Sequence, residues 1–145
     1  MKIRVALACA GLSFAVLSPA SAATPYQASV PNPSCVGNSS CTFTFSKIGG
    51  IHYAIISHVS CRVATTQGNQ GIYYAALQSS ASTAPPDYLP ISYVFNLALI
   101  NVPTLYEVAA GTSPEVTMLA LGGVTFIAPN STVDQPTCFV SGYTY

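Results

Sequence analysis

Charged side chains are scarce in this chain. Only four Lys or Arg and four Asp or Glu occur among its 145 residues, and tryptophan is absent. Lys2 and Arg4 lie at the extreme N-terminus, so the remaining chain has two basic against four acidic residues and a net charge of −2. Nucleic acids and anionic membranes bind clusters of Lys and Arg. We therefore expect neither as a partner.

Familiar catalytic motifs are missing as well. The sequence contains no G-x-S-x-G, no H-E-x-x-H and no glycine-rich phosphate loop. Its two histidines, His52 and His58, are six residues apart, which is roughly 20 Å on a strand that rises ~3.3 Å per residue. They cannot share a metal ion on a regular strand. We expect no metal, no cofactor, no catalytic residue and no enzymatic activity.

Acidic residues offer the remaining route to hydrolytic chemistry. A glycosidase would draw its carboxylate pair from Asp87, Glu107, Glu115 and Asp134. All four fall in or beside expected loops and strand ends, where solvated acids are common. A Ser–His–Asp site is recognised by geometry rather than by sequence, so a secreted hydrolase stays as an alternative.

Long hydrophobic runs are absent beyond the first 22 residues. There, Lys2 and Arg4 precede an apolar run from Val5 to Leu17, and small residues follow at Ala20-Ser21-Ala22. This pattern predicts a secretory signal peptide, because the run is shorter than the ~20 residues of a membrane-spanning helix. The predicted organisation is a signal peptide at 1–22, an extended Pro- and Ser-rich lead-in at 23–40 and a β-sandwich domain at 41–145. No integral membrane segment is expected after cleavage.

The cysteines that remain after the signal agree with export. They are Cys35, Cys41, Cys61 and Cys138, and an even number in a small exported domain predicts two disulfides. Four cysteines allow three pairings, which sequence alone does not distinguish; we favour Cys35–Cys41 and Cys61–Cys138. No two have the C-x-x-C spacing of a redox or zinc motif. The expected location is the periplasm or the extracellular medium.

The segment from Ile51 to Ala64 is expected to be the central strand of the fold. Side chains alternate across a strand. The residues predicted to face the core are Ile51, Tyr53, Ile55, Ser57, Val59, Cys61 and Val63. Cys41–Lys47 also alternates, and Gly49-Gly50 permits a tight turn, so these two segments are predicted to pair as a hairpin.

The rest of the chain predicts further strands and no helix. Short apolar runs alternate with turns rich in Gly, Pro, Ser and Asn. The expected strands are a short edge strand at Gln27–Val30 and others at Ile72–Ser79, Ile91–Ile100, Thr104–Ala109, Glu115–Leu121, Val124–Ala128 and Thr137–Tyr145. About eight strands separated by such turns predict a single all-β antiparallel sandwich, a class that includes the jelly roll.

Tyrosine is the abundant aromatic residue, with nine copies. Tyr73, Phe139, Tyr143 and Tyr145 fall on strand faces predicted to point outward. Tyrosine is enriched at binding surfaces because it combines apolar area with a hydroxyl group. These four residues are therefore predicted to contribute to binding a protein or glycan ligand, unless neighbouring loops cover them.

Short stretches carry a resemblance to known proteins. CFVSGYTY at the C-terminus, with FTFSKIGG and IISHVSC earlier, resembles small exported bacterial β-sandwich proteins of uncharacterised function. The resemblance spans most of the mature chain and implies a fold and an exported location, not an activity. The chain is also similar to chaperone-assembled pilus subunits, which have a penultimate tyrosine and a single disulfide. Here the penultimate residue is Thr144 and four cysteines are present.

Three functions follow as expectations. The first is an exported, non-enzymatic β-sandwich that binds an unidentified ligand or partner. The second is a structural or self-assembling surface subunit, indicated by the low charge and by the apolar segment Ile91–Ile100, whose exposed edge would pair chains into an oligomer. The third is the hydrolase, which requires His52 or His58 to lie within hydrogen-bond reach of a carboxylate and a hydroxyl.

Overall fold

The structure is a computed structural model that describes residues 22–31, 35–49, 53–66, 71–81, 83–121, 125–126 and 136–145. The regular structure within these ranges is almost entirely β-strand. The strands are β1 (Thr24–Pro31), β2 (Ser40–Thr44), β3 (Ala54–Ala64), β4 (Ile72–Ser79), β5 (Asp87–Tyr88), β6 (Ser92–Val94), β7 (Leu97–Val108), β8 (Pro114–Ala120) and β9 (Thr137–Thr144).

The strands form two antiparallel sheets. The five-stranded sheet has the order β1-β9-β3-β7-β6, and the four-stranded sheet has the order β2-β8-β4-β5. Apart from the pairs β4–β5 and β6–β7, each strand is followed in the chain by a strand of the other sheet. This repeated crossing is the connectivity of a jelly roll. The predicted all-β antiparallel sandwich is confirmed, and β3 is the middle strand of its sheet.

A single hydrophobic core lies between the sheets. Ile56, Val59 and Val140 reach it from the five-stranded sheet, and Phe43 and Leu77 reach it from the four-stranded sheet; all five are completely buried. Burying each such side chain contributes about 1.5–3 kcal/mol. This shared core fixes the two sheets against each other and positions the loops at their edges.

Both predicted disulfides are present. Cys61 and Cys138 are direct partners in the β3–β9 ladder, with Cα atoms 4.1 Å apart, and both are buried in the core. Cys35 and Cys41 join the turn before β2 to β2 itself. One disulfide therefore ties two neighbouring strands together, while the other closes a local loop.

The ladder of β3 contains a register shift. Ile56 pairs with Gly142 of β9 and His58 pairs with Ser141, so Ser57 is an extra residue relative to β9. Such a β-bulge kinks the strand and changes the side of the sheet to which its side chains point. The two halves of β3 therefore follow different alternation patterns.

The bulge makes half of the predicted core face of β3 wrong. Beyond Ser57, the core-facing residues are Val59, Cys61 and Val63, as predicted. Before it, Ala54 and Ile56 are buried, whereas Tyr53 is exposed and Ile55 is half-buried. Ser57 itself is half-buried, and Ile51 and His52 lie outside the described residues.

Gly142 is the glycine that the bulge requires. A Cβ atom at this position would lie 2.0 Å from the carbonyl oxygen of Ile55 and 2.9 Å from the Cα atom of Ile56. The bulged backbone of β3 thus fills the space that any side chain would need. A glycine inside a strand often marks such a close approach of two backbones.

The predicted hairpin between Cys41–Lys47 and Ile51–Ala64 is wrong, because β2 and β3 lie in different sheets. After β2, the Ile48 N–H donates to the Thr112 carbonyl at 2.8 Å, and the Gly111 N–H donates to the Ile48 carbonyl at 2.9 Å. The Ile48 side chain is buried in the core. These contacts hold the segment against the β7–β8 turn, so that the chain crosses to the other sheet.

The predicted single strand Ile91–Ile100 is also wrong. The chain reverses at Phe95-Asn96, so that Val94 pairs with Leu97, and Phe95 takes a φ of 56°. A run without glycine gives little sign of this tight turn. The strand that leaves it, β7, continues to Val108 and includes most of the segment predicted separately as Thr104–Ala109.

The ends of the sandwich differ in detail from the prediction. The edge strand predicted at Gln27–Val30 is present as the longer β1, so part of the expected lead-in at 23–40 belongs to the five-stranded sheet. In the segment predicted as Val124–Ala128, Phe126 makes a single bridge to Thr65. Residues 122–124 and 127–135 lie outside the described part of the chain.

Candidate functional site

The acidic residues are spread over different parts of the sandwich. Asp87 in β5 accepts a hydrogen bond from the Thr104 hydroxyl. Glu107 lies on the outer face of the five-stranded sheet, and Glu115 lies on the outer face of the four-stranded sheet, where it accepts hydrogen bonds from neighbouring strands. Asp134 lies outside the described residues. Glu107 and Glu115 are therefore on opposite sides of the molecule.

His58 does not have the surroundings that the hydrolase alternative requires. Its Nε2 atom lies 2.8 Å from Oδ1 of Asn101, an amide oxygen, on the outer face of the five-stranded sheet. The hydrolase alternative requires a carboxylate within hydrogen-bond reach of the histidine, and here the partner is an amide oxygen. His52 is outside the described ranges. Within those ranges no group of three or more His, Cys, Asp or Glu could hold a metal ion.

The four aromatic residues predicted to bind a ligand are divided between the two sheets. Phe139, Tyr143 and Tyr145 follow the outer face of β9, with Phe139 half-buried and the two tyrosines exposed. Tyr73 lies in β4 and is 60 % exposed. The four residues predicted to contribute to binding therefore lie on two surfaces, and what each one binds stays a prediction.

The first of these surfaces lies on the outer face of the five-stranded sheet. We call it the aromatic face and define it by Tyr53, Ile55, Leu105, Tyr143 and Tyr145. The rings of Tyr53 and Tyr145 stack with centroids 5.3 Å apart, and Ile55 pairs with Tyr143 across β3 and β9. Leu105 of β7 is 86 % exposed.

The surface at the edge of the four-stranded sheet is concave. It is an open cleft of about 360 Å³, close to the lower end of the range for ligand sites. We call it the tyrosine cleft. Its lining residues are Ile72, Tyr73, Tyr74, Ala75, Tyr88, Leu89, Ile91 and Tyr93. Four of these eight are tyrosines, and none carries a formal charge at neutral pH.

A bulge in β4 creates one wall of the tyrosine cleft. Ile72 pairs with Ala120 of β8 and Tyr74 pairs with Leu119, so Tyr73 is an extra residue in the ladder. The residue at a bulge leaves the regular alternation of the strand. Ile72 is buried in the core while Tyr73 points to solvent beside Tyr74.

Backbone contacts hold the opposite wall in place. The Tyr93 hydroxyl accepts a hydrogen bond from the Ile72 N–H at 3.2 Å and donates to the Ile72 carbonyl. The Leu89 N–H donates to the Ala75 carbonyl at 2.9 Å. Burial raises the pKa of Tyr93, and its hydrogen bond to Ile72 acts in the opposite direction. The cleft is therefore preformed, since its second wall is anchored to β4.

Two tyrosines form a corner at the mouth of the cleft. Tyr88 of β5 pairs with Ala76 of β4 and meets Tyr74 edge to face, with ring centroids 5.6 Å apart and planes at 86°. Edge-to-face packing is a favourable arrangement for two aromatic rings. Tyr88 remains 68 % exposed. Much of its ring surface is thus available to a bound molecule.

Sequence reasoning identified Tyr73 and missed Tyr74, Tyr88 and Tyr93. The distribution of the tyrosines could have indicated the cleft. A pair of tyrosines in β4 precedes a proline-rich loop, and two more follow Pro86. A loop that returns to the edge of the strand it left brings both groups together. That return depends on the pairing of β5 with β4.

Comparisons with known proteins add no identification: no protein-family model, no curated protein and no solved structure matches this chain. The resemblances noted in the sequence therefore remain predictions. In the described part of the chain, no helix has the length and apolar character needed to cross a membrane.

Proposed function

We propose that this protein is an exported, non-enzymatic β-sandwich module that binds an uncharged ligand in the tyrosine cleft. The observation that carries the proposal is the cleft itself: it is open, preformed and lined by four tyrosines without a charged residue. Ligand sites are typically concave, mostly apolar and largely formed before binding.

The composition of the cleft favours an uncharged ligand. A charged group that enters it would lose hydration without meeting an opposite charge, which is costly. The neighbouring carboxylate of Asp87 is engaged by Thr104 and is not part of the lining. A neutral molecule loses less hydration and can form hydrogen bonds with the phenol groups.

The test is a ligand screen on the oxidised mature protein, residues 23–145. Melting temperatures would be measured with neutral oligosaccharides, acidic oligosaccharides, proline-rich peptides and small aromatic compounds. We expect an uncharged class to raise the melting temperature of the native protein and of Tyr143→Ala, but not of Tyr88→Ala. The proposal fails if no uncharged class has this effect or if Tyr88→Ala responds as the native protein does.

Export is supported by the two disulfides, because such bonds form and persist mainly in oxidising compartments. Mass spectrometry of the protein from fractionated cells, after alkylation of free thiols, tests this part of the proposal. We expect a chain that starts near Ala23 with all four of its cysteines unmodified by the alkylating reagent. Cytosolic protein that retains residues 1–22 and four free thiols would contradict it.

The aromatic face favours a second candidate function, a self-assembling subunit. Leu105 of β7 is almost fully exposed, and Tyr143 and Tyr145 lie on the same face. Contiguous apolar patches on soluble proteins commonly mark interaction surfaces. Light scattering after size exclusion, over a concentration series, should then show an oligomer that Leu105→Ser disrupts. A monomer at every concentration would exclude this candidate.

A further inference from the structure

We infer that the ligand of the tyrosine cleft is a neutral saccharide, one of whose rings lies against the exposed faces of Tyr73 and Tyr88. The inference rests on the proposed function, because it names the chemical class of the uncharged ligand bound at that site.

The tyrosines of the cleft present apolar and polar groups side by side. Tyr73 and Tyr88 are 60 % and 68 % exposed, so each offers ring surface together with a hydroxyl. A purely apolar ligand would cover the rings and leave desolvated hydroxyl groups unpaired, which is unfavourable. A pyranose ring has an apolar face of C–H groups and a rim of hydroxyls, and so complements both features.

The electronic character of the tyrosine faces also suits a sugar ring. The face of a tyrosine ring carries partial negative charge and attracts the positively polarised edge of another group. The edge-to-face contact of Tyr74 with Tyr88 uses this attraction within the protein. The C–H groups on one face of a sugar ring are polarised by their neighbouring oxygens and can make the same contact.

An extended peptide is a competing occupant of the cleft. A peptide strand would have to pair with the free edge of β5, but β5 is only two residues long. Pro85 and Pro86 precede it and Pro90 follows Leu89. Prolines lack the N–H group needed for a ladder and protect sheet edges from strand addition. Strand addition at this edge is therefore disfavoured, and an aromatic-docked proline-rich peptide is the competitor to test.

The experiment is isothermal titration calorimetry of the oxidised protein with defined probes. The neutral probes are maltotetraose, cellotetraose, tetra-N-acetylchitotetraose and mannotetraose; the acidic probe is tetragalacturonate, and the peptide probe is decaproline. We expect at least one neutral tetrasaccharide to bind, with the acidic one binding no more tightly. The affinity should be the same at about 50 mM and about 500 mM NaCl, because no ion pair contributes.

Variants place the binding in the cleft. Tyr88→Ala and Tyr73→Ala should each weaken binding of the neutral tetrasaccharide by about tenfold or more, since each removes a stacking surface. Tyr88→Phe retains the ring and should weaken binding much less. Tyr143→Ala removes an exposed tyrosine from the other sheet and should leave affinity unchanged. Circular dichroism confirms that each variant is folded.

The results that would contradict these proposals distinguish the saccharide inference from the proposed function of the cleft. Decaproline binding that Tyr88→Ala abolishes, without binding of any neutral tetrasaccharide, would overturn the saccharide inference and leave the cleft as a site for uncharged ligands. Saccharide binding that neither Tyr73→Ala nor Tyr88→Ala weakens would show a different site and overturn both. Absence of binding by every neutral tetrasaccharide would overturn the saccharide inference, and absence of binding by decaproline and by the small aromatic compounds as well would overturn both.

Discussion

The bulge at Ser57 in β3 and the bulge at Tyr73 in β4 interrupt the two sheets in contrasting surroundings. At the first, β9 packs so closely that only Gly142 fits beside the backbone of Ile55. At the second, the extra residue is a large, exposed tyrosine that forms part of a cleft. The same one-residue insertion thus serves packing in one sheet and surface shape in the other.

The position of a bulge within its sheet determines what the bulge affects. A bulge in a middle strand is constrained on both sides, so its effect on side-chain direction must be accommodated by neighbouring strands. A bulge near the beginning of a strand is constrained on fewer sides and can present its side chain to solvent. We therefore expect changes at the Ser57 bulge to alter stability and changes at the Tyr73 bulge to alter binding.

The largest expected effect comes from the disulfide in the sheet that contains the Ser57 bulge. Cys61 and Cys138 are 77 residues apart in sequence, and Cys35 and Cys41 only six. In the chain-entropy account, removing the first should cost about 4 kcal/mol and removing the second about 2 kcal/mol. Urea unfolding of the double variants Cys61→Ala/Cys138→Ala and Cys35→Ala/Cys41→Ala measures both. Equal losses would show that ring length is not decisive here.

Substitution of Gly142 tests whether the buried bulge is as constrained as the geometry indicates. Gly142→Ala should lower the free energy of unfolding by about 3 kcal/mol or more, because the new methyl group would overlap the Ile55 carbonyl. Ser141→Ala, at the neighbouring position on the outer face, is the matched control and should change it by less than about 1 kcal/mol. A Gly142→Ala protein as stable as the control would contradict this account.

Removal of Tyr73 tests the exposed bulge in the same way. Deleting this one residue would leave Ile72 opposite Ala120 and Tyr74 opposite Leu119 in a continuous ladder. We expect the free energy of unfolding to change by less than about 1 kcal/mol, since the deleted side chain is largely exposed. Ligand binding at the cleft should be lost. If the deletion variant fails to fold, the Tyr73 bulge is also needed for stability, and the expected difference between the two bulges is wrong.

The last effect is confined to high pH and concerns Tyr26, which pairs with Gly142 in the β1–β9 ladder and donates its hydroxyl to the Ser46 carbonyl at 2.8 Å. Burial raises the pKa of Tyr26 to about 12, whereas the unfolded value is about 10. Its contribution to stability is therefore complete below pH 10 and is lost as the pH rises toward 12. The stability of Tyr26→Phe should fall less steeply over this range in urea unfolding. Identical pH profiles for the native protein and Tyr26→Phe would show that Tyr26 does not cause this pH dependence of stability.

Much of the fold could be predicted because it depends on local signals. Alternation predicted the strands, their abundance predicted a sandwich, and the inward position of Cys61 and Cys138 agreed with their disulfide. The hairpin assigned to β2 and β3 was wrong because Ile48 is anchored to the β7–β8 turn, a contact distant in sequence. The turn at Phe95 was missed because its sequence contains no turn glycine.

The candidate site was only partly predictable. Tyr73 was predicted to point outward, but its exposure depends on the bulge in β4, and its membership of a cleft depends on the return of Tyr88 and Tyr93 to the edge of β4. Tyr143 and Tyr145, which sequence grouped with Tyr73, lie on the opposite sheet. Alternation along one strand predicts on which side of the sheet a side chain lies. It does not predict which other strands lie beside that side chain.

By itself, the sequence determined the strand-rich architecture, the apolar alternation that builds the core, and the low charge of the surface. Each of these depends on side-chain chemistry and on the two-residue period of an extended chain. The order of the strands depends on tertiary packing. So do the reversal of side-chain direction at Ser57 and the assembly of the tyrosine cleft. These features arise from pairing and packing between segments far apart in the chain, and a one-residue change of register suffices to move a side chain to the other face.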